Sequence, residues 1–270
     1  MAAPLVVIGG GRMGEALVAG LLARPETAPD TIVVVETSAA RRAELAAAAG
    51  LAGRFPAVTI AAEPPGGAEV ILAVKPSVVR EACEQLGELG VTRVLSVAAG
   101  VTIERLERWL ARPVPVVRAM PNTPALVGAG ASAIAGGTHA GAGDLAWAEA
   151  ILGSVGIVVR VGEGLLDAVT GLSGSGPAYV FLLAEAMVDA GVLVGLPRST
   201  ATALTVQTLL GSARLLAESG QTPESLRAGV TSPGGTTAAG LRALEAASVR
   251  SAVLDAVSAA AARAAELGRS

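Results

Sequence analysis

The stretch Leu5-Val6-Val7-Ile8-Gly9-Gly10-Gly11-Arg12-Met13-Gly14 decides the fold. Its aliphatic residues predict a buried strand, and a helical pattern follows the glycines. Gly9, Gly11 and Gly14 have G-x-G-x-x-G spacing, which permits a tight turn, close approach of the backbone to phosphate and close helix packing. A helix that begins behind such a turn favours an anion at its N-terminus. The stretch therefore predicts a dinucleotide-binding α/β domain.

The first 161 residues repeat this alternation of strand and helix. Continuous apolar strands that alternate with helices imply a parallel sheet covered on both faces. Residues 1–161 therefore predict a Rossmann-like, doubly wound α/β domain. The strands that we predict are Leu5–Gly9, Ile32–Glu36, Val70–Val74, Val94–Val97, Val114–Arg118, Ser132–Ala135 and Gly156–Arg160.

The strand signal disappears in residues 162–270, where long helical patterns are interrupted by Gly, Ser and Pro clusters. This part predicts an all-helical second domain. Aromatic residues make up only 2% of the chain, so the apolar content is Ala, Val, Leu and Gly, which favours tight helix packing. These helices carry more apolar surface than one small helical domain could hide, which predicts at least a dimer.

Composition limits the kinds of partner and the cellular compartment that we expect for this protein. The most apolar run, Ala178–Leu196, includes Glu185 and Asp189, which favours a buried helix over a membrane span. The net charge is −3 with scattered arginines, so we expect no nucleic-acid partner. Cys83 is the only cysteine, which precludes an intrachain disulfide, and no basic segment precedes the first strand, so we expect a reducing cytoplasm. We expect no metal site.

Glu36 ends the second predicted strand, about 20 residues beyond the glycine turn. A carboxylate there accepts hydrogen bonds from the adenosine ribose 2′-OH and repels a 2′-phosphate, which favours NADH. Thr37, Ser38, Arg41 and Arg42 follow at once and could hold a phosphate if Glu36 turned away. The alternative for Arg41 and Arg42 is a solvated helix face. The cofactor is therefore NADPH or NADH.

Three further segments follow predicted strands. Ala73-Val74-Lys75-Pro76 contains the only lysine of the chain, for which we expect a role near the cofactor, with a simple loop charge as the alternative. Val97-Ala98-Ala99 offers a small-residue surface for a nicotinamide ribose. Asn122, in a proline-rich segment, is expected to be free to meet nicotinamide or substrate, with a rigid connector as the alternative. His139, the sole histidine, is expected in a surface loop.

The segment Thr231-Ser232-Pro233-Gly234-Gly235-Thr236-Thr237 directs small residues and free backbone N–H groups at the start of a long Ala-rich helix. Such a helix N-terminus holds a small anion. A cofactor and an anionic substrate are therefore both implied.

These motifs together resemble the pyrroline-5-carboxylate reductase family over nearly the whole chain. The matching segments are Gly9 to Glu15, Ala73 to Pro76, Ala98 to Val101, Arg118 to Gly128, Asp167 to Tyr179, Asp189 to Pro197 and Thr231 to Thr237. The resemblance implies reduction of 1-pyrroline-5-carboxylate to L-proline by NAD(P)H. It also implies an N-terminal Rossmann domain and a C-terminal helical domain that forms a dimer, with five dimers in a decamer.

The resemblance also implies site residues. The cofactor would contact Ile8, Gly9, Gly10, Gly11, Arg12, Met13, Ala73, Val74, Lys75, Pro76, Val97, Ala98, Ala99 and Glu163. The residue patterns described above, rather than the resemblance, add Glu36 and Asn122 to this set; family members often prefer NADPH, which Glu36 puts in doubt here. The substrate would lie against Ser232, Gly234, Gly235, Thr236 and Thr237. Thr237, Ser232 and Lys75 would serve catalysis, with the Thr237 hydroxyl bonded to the ring nitrogen; which group protonates that nitrogen stays open.

Two other functions share parts of this pattern. Dehydrogenases of the 3-hydroxyacid or 6-phosphogluconate type share the layout but use a lysine of the helical domain, and this chain has none beyond Lys75. A non-catalytic cofactor-binding regulator would not need an anion loop at residues 232–237. Both are therefore less favoured than the reductase.

Overall fold

A computed structural model describes residues 3–24 and 29–269 of the chain. The chain divides into two compact units, one formed by Met1–Ser175 with Ala259–Ser270 and the other by Gly176–Ser258. The boundary expected between residues 161 and 162 stays a prediction.

The first unit contains an eight-stranded sheet in the order β3-β2-β1-β4-β5-β6-β7-β8. All neighbouring strands are parallel except β6 and β7, which are antiparallel. The first six strands have the order of a dinucleotide-binding fold, which confirms the predicted doubly wound domain. The strands are β1 Leu5–Ile8, β2 Ile32–Val35, β3 Val58–Ala61, β4 Glu69–Leu72, β5 Arg93–Ser96, β6 Val116–Met120, β7 Gly130–Gly136 and β8 Gly156–Arg160.

The structure corrects the predicted sheet in two places. The antiparallel β6–β7 pair contradicts an all-parallel sheet, because the connection after Met120 is too short for the crossover of a dozen or more residues that parallel strands need. The sequence prediction also missed β3, which pairs with β2 at the edge of the sheet. Only its first residue, Val58, is buried, so it lacks the continuous apolar run of a central strand.

Helices cover both faces of the sheet. On one face α1, α2, α3 and α6 pack against alternate strand residues such as Val7 and Val34, and on the other α4 and α5 pack against Val6 and Val35. This alternation explains why the central strands are apolar throughout. These helices are α1 Arg12–Leu22, α2 Ala39–Ala46, α3 Leu51–Arg54, α4 Val79–Glu88, α5 Ile103–Leu110, α6 Ala142–Gly153 and the short α7 Leu166–Val169.

Every element that the structure assigns within the second unit is a helix, as predicted. The remaining helices are α8 Gly176–Leu193, α9 Arg198–Glu218, α10 Pro223–Gly229, α11 Thr236–Ala246 and α12 Val249–Arg269, whose last residues belong to the first unit.

The expectation that the apolar run Ala178–Leu196 is buried is wrong for the single chain. Helix α8 has no buried residue, and Phe181, Leu182 and Leu193 are 63%, 66% and 86% exposed. By length and composition, the helical stretch Glu163–Leu193 could cross a membrane. Glu185 and Asp189 lie within it, and their charges oppose transfer into hydrocarbon.

Candidate active site

The turn between β1 and α1 has the backbone that its glycines predict. Gly9 has a φ of +106°, and a Cβ there would lie 2.6 Å from the carbonyl oxygen of Ala73. A Cβ on Gly14 would collide with the Gly9 carbonyl oxygen. The tight turn and the close packing of α1 on the sheet therefore both require glycine.

Gly11 has a different role. It is the N-cap of α1, no side chain caps this helix end, and a Cβ on Gly11 would meet no atom within 4 Å. The space before the first N–H groups of α1 is thus open, and a side chain at position 11 would fill it. An uncapped helix N-terminus with this clearance fits the pyrophosphate of a dinucleotide.

A cavity of about 390 Å³ adjoins this turn at the carboxyl ends of β1, β2 and β4. The sheet order reverses between β1 and β4, which is where open α/β sheets bind ligands. Its walls include Ile8, Gly9, Glu36 and Val74 on the strand side and Val78 and Ala82 next to or on α4. The first four were predicted from the sequence, whereas Val78 and Ala82 were not, because no motif marks them.

The Glu36 carboxylate is fixed by two backbone groups. Its Oε2 accepts the N–H of Gly10 at 3.2 Å, and its Oε1 accepts the N–H of Ser38 at 2.9 Å. Both bonds fix the orientation of the carboxylate, so its negative charge is held beside the cavity. Glu36 therefore faces the site rather than turning away from it.

Arg41 is engaged by other groups. Its Nε donates to the Gly10 carbonyl at 2.9 Å, and its two terminal nitrogens pair with Glu44 at 2.8 Å and Glu15 at 2.7 Å. The hydrogen bond with Glu44, followed by that with Glu15, raises the pKa of the Arg41 guanidinium. Arg42 donates to the carbonyls of Glu36 and Thr37. Both arginines thus brace the loop around Glu36.

The loops after β4 and β5 lie at the same edge of the sheet. Lys75 is exposed, precedes the short helical turn Pro76–Val78, and forms no ion pair within residues 3–24 and 29–269. Ala98 is buried and Ala99 exposed, so the side chain of Ala99, and not that of Ala98, is open to solvent at this loop. The structure thereby brings three predicted cofactor segments to one edge; their contacts with a cofactor stay predictions.

Glu163 connects two elements that sequence reasoning did not link. Its Oε1 accepts Nη1 of Arg118 at 3.0 Å and the N–H of Ile103, the first residue of α5, at 2.7 Å. Arg118 is only 7% exposed, so Glu163 neutralises a buried positive charge. Removal of the Glu163 carboxylate would leave that charge unpaired, which would lower the stability of the fold. The sequence gives no signal for this pair because 45 residues separate its members.

Asn122 is not free, contrary to the expectation from the sequence. Its Nδ2 donates to the carbonyl of Ser173 at 3.0 Å, and its Oδ1 accepts the N–H of Ala131 at 2.8 Å. The amide is thus engaged at both ends by the backbone, which agrees better with the alternative of a rigid connector.

In the second unit, the loop at residues 231–235 leads into α11. Gly234 has a φ of +69°, and Gly235 is an N-cap without a side-chain hydrogen bond to the helix. The intrahelical ladder begins with the Ala239 N–H, which donates to the Gly235 carbonyl at 3.1 Å. The N–H groups of Thr236, Thr237 and Ala238 precede that bond, so they are open to an anion.

Two hydroxyl groups flank this helix end. A Cβ on Gly235 would collide with Oγ of Ser232, so glycine lets that hydroxyl lie over the helix start. Thr237 is exposed and its hydroxyl makes no hydrogen bond within the described part of the chain. Thr237 therefore does not cap α11, and its hydroxyl is available to a ligand.

Two reactive side chains are not among the residues that line the cavity. Cys83 is fully buried, and burial raises the pKa of its thiol to about 12, so it is not a nucleophile. His139 lies in an exposed turn, as expected. Among the described residues, no group of three or more His, Cys, Asp or Glu side chains could hold a metal ion.

Family models match both parts of the chain. The model for pyrroline-5-carboxylate reductase dimerisation matches residues 163–267, and a model for coenzyme F420-dependent NADP oxidoreductases matches residues 4–100. The chain is 44% identical to the pyrroline-5-carboxylate reductase of a Synechocystis species over 100% of both chains.

Solved structures agree with these matches. The pyrroline-5-carboxylate reductase of Coxiella burnetii has a TM-score of 0.90 at 36% identity and covers 100% of both chains. The Plasmodium falciparum pyrroline carboxylate reductase, solved with NADP bound, has a TM-score of 0.81 at 28% identity over 98% of both chains.

Proposed function

The chain belongs to the pyrroline-5-carboxylate reductase family, and we propose that its two Gly-rich helix N-termini hold the reactants. It is an NAD(P)H-dependent oxidoreductase that converts 1-pyrroline-5-carboxylate to L-proline, the last step of proline biosynthesis. The observation that carries the assignment of roles is the pair of uncapped helix starts, at Gly11 and at Gly235.

The first helix start serves the cofactor. In our proposal the N–H groups behind Gly11 bind the pyrophosphate, the cavity beside Glu36 takes the adenosine, and the nicotinamide lies towards Lys75 and Ala98. The clearance at Gly11 and the cavity of about 390 Å³ support this arrangement. The reduced nicotinamide, when bound, supplies a hydride to the C=N carbon of the substrate.

The second helix start serves the substrate. The N–H groups of Gly234, Thr236 and Thr237 and the Ser232 hydroxyl bind the carboxylate, where the positive end of the α11 dipole adds to the attraction. The Gly235 N–H does not take part, because it donates to the Ser232 carbonyl at 3.1 Å. The Thr237 hydroxyl bonds the ring nitrogen. Because an iminium carbon is already electrophilic, the protein's main contribution is to orient the two reactants. The inert Cys83 thiol, and the exposed His139 that does not line the cavity, agree with a site that lacks a strong acid.

We propose NADH as the preferred cofactor. The ionised Glu36 carboxylate, fixed by two backbone N–H groups, would accept hydrogen bonds from a ribose 2′-OH and repel a 2′-phosphate. Arg41 already pairs with Glu15 and Glu44, so it does not offer a free cation to that phosphate.

We further propose that the chain forms dimers, and five dimers a decamer, in the cytoplasm. The family model that matches residues 163–267 describes dimerisation, which supports self-association. The exposed apolar side chains of α8 give such an interface its surface. If a second copy covers this apolar helix face, the face is removed from water without insertion into a bilayer. We therefore propose neither a membrane nor a nucleic acid as a partner.

Loss of reduced-nicotinamide absorbance, measured with and without 1-pyrroline-5-carboxylate, tests the activity. We expect oxidation that depends on this substrate and yields L-proline in equal amount. If the protein instead reduced its cofactor with a 3-hydroxyacid and ignored the imine, the proposed function would be wrong.

A further inference from the structure

We propose that Asn122 is a positioning residue for this reaction. It fixes the π-helical turn Thr170–Gly174 to the carboxyl end of β6, next to the strands that carry the predicted nicotinamide contacts. This inference rests on the proposed function, because it concerns the shape of the same site.

The hydrogen bonds of Asn122 define its orientation without ambiguity. A backbone N–H, that of Ala131, can only donate, and a backbone carbonyl, that of Ser173, can only accept. The Asn122 oxygen must therefore face Ala131 and its nitrogen must face Ser173. The Asn122 side chain thus joins β7 to Ser173, which follows Asn122 by 51 residues in the sequence.

The sequence explains why Ser173 needs this partner. In an α-helix the carbonyl of residue 173 accepts the N–H of residue 177. Residue 177 is Pro177, which has no N–H. The Asn122 Nδ2 donates to the Ser173 carbonyl in place of the backbone N–H that residue 177 lacks.

The turn itself departs from α-helical geometry. The N–H of Ser175 donates to the carbonyl of Thr170 at 2.8 Å, a bond five residues long. Such turns are rare in proteins overall, but those that do occur are often found at functional sites. Gly174 lies against the end of β6, since a Cβ there would be 2.5 Å from Cε of Met120. The turn is therefore packed against β6 and bonded to the residue two positions beyond it.

This edge of the sheet is the one that the cofactor uses in our proposal. Strand β6 neighbours β5, and β5 neighbours β4, whose following loops contain Ala98 and Lys75. A shift of the turn would alter the wall beside the nicotinamide without touching the cavity at Glu36. Misplacement of reacting groups by about 1 Å can cost about 100-fold in rate.

Asn122→Ala, Pro177→Ala and the double variant test the inference. Asn122→Ala should lower kcat about tenfold or more, while the Kd for NADH, which reports mainly the adenosine end, stays within about twofold. Pro177→Ala alone should be nearly as active as the wild type. The double variant should recover much of the lost kcat, because the new N–H of residue 177 can serve Ser173. Unchanged kcat in Asn122→Ala, or no recovery in the double variant, would overturn the inference.

Asn122→Asp provides a second readout if Asn122→Ala does not fold. Aspartate keeps the acceptor for Ala131, but its ionised form turns an oxygen towards the Ser173 carbonyl. Only the protonated form can donate there, which raises the pKa of the new carboxyl. The ratio of kcat to that of the wild type should therefore rise as the pH falls. A ratio independent of pH would count against the inference.

The two hypotheses fail differently. If the wild type does not reduce 1-pyrroline-5-carboxylate, the proposed function is wrong. If the wild type is active but its Asn122 variants match it, only the role of Asn122 is wrong.

Discussion

The Thr237 hydroxyl is the most direct test of the proposed substrate site. Thr237→Ala removes the bond to the ring nitrogen but keeps the backbone N–H that helps to bind the carboxylate. A lost hydrogen bond to a charged group costs roughly 1.5 to 3 kcal/mol, and each 1.36 kcal/mol is tenfold in rate, so kcat/KM should fall by about 10- to 150-fold. The cofactor Kd should hardly change, because the cofactor residues lie on other elements.

The structure separates this effect from a loss of stability. Gly235 is the N-cap of α11 and Thr237 is exposed, without a hydrogen bond from its hydroxyl within the described residues. The free energy of unfolding should therefore change by no more than about 0.5 kcal/mol. Thr237→Ser, which retains the hydroxyl, is the matched control and should retain most of the activity. A Thr237→Ala variant with lowered stability and full kcat/KM would refute the catalytic role.

Three further predictions concern the cofactor, the assembly and the core. Glu36→Ser should shift the ratio of the NADH and NADPH dissociation constants about tenfold or more towards NADPH, since it removes a negative charge beside the 2′ position; an unchanged ratio in fluorescence titrations would remove Glu36 from the argument. Light scattering should find at least a dimer for the wild type and a smaller species for Leu182→Arg, and an active wild-type monomer at low micromolar concentration would contradict this. Burial raises the pKa of Cys83 from 9.0 to about 12, so between these pH values the folded thiol keeps a proton that the unfolded chain releases. The free energy of unfolding should therefore fall by about 1.4 kcal/mol per pH unit above about pH 9. The Cys83→Ala variant, although less stable, should lack this contribution to the pH dependence in denaturant unfolding.

The strands were predictable wherever both faces are buried. Runs such as Val6 to Ile8 and Val33 to Val35 are apolar throughout because helices cover each side. The edge strand β3 was missed because that rule does not apply to it. The direction of β7 was predictable in principle, since a connection as short as Pro121 to Ala129 cannot contain a crossover helix.

The site was predictable where a local motif demands a backbone shape. The spacing of Gly9, Gly11 and Gly14 follows from the turn, the phosphate and the helix, all within ten residues. Contacts that depend on tertiary packing left no such trace, as for Arg118 with Glu163. Pro177 is intermediate between the local motifs and the tertiary contacts. It predicts that one carbonyl lacks a helical N–H donor, but it does not predict that Asn122 provides the donor.

The sequence alone left Glu36 and Arg41 as competing determinants of cofactor choice, and their contacts favour a role for Glu36. The ion pairs of Arg41 with Glu15 and Glu44 are partly exposed, and such pairs contribute only about 0 to 1 kcal/mol each. A bound phosphate could therefore recruit Arg41 at small cost if nothing else opposed it. In our proposal Glu36 opposes it, because two backbone hydrogen bonds hold the carboxylate beside the cavity that would take the adenosine ribose. We therefore expect Arg41 to contribute little to the choice of cofactor and the carboxylate of Glu36 to favour NADH.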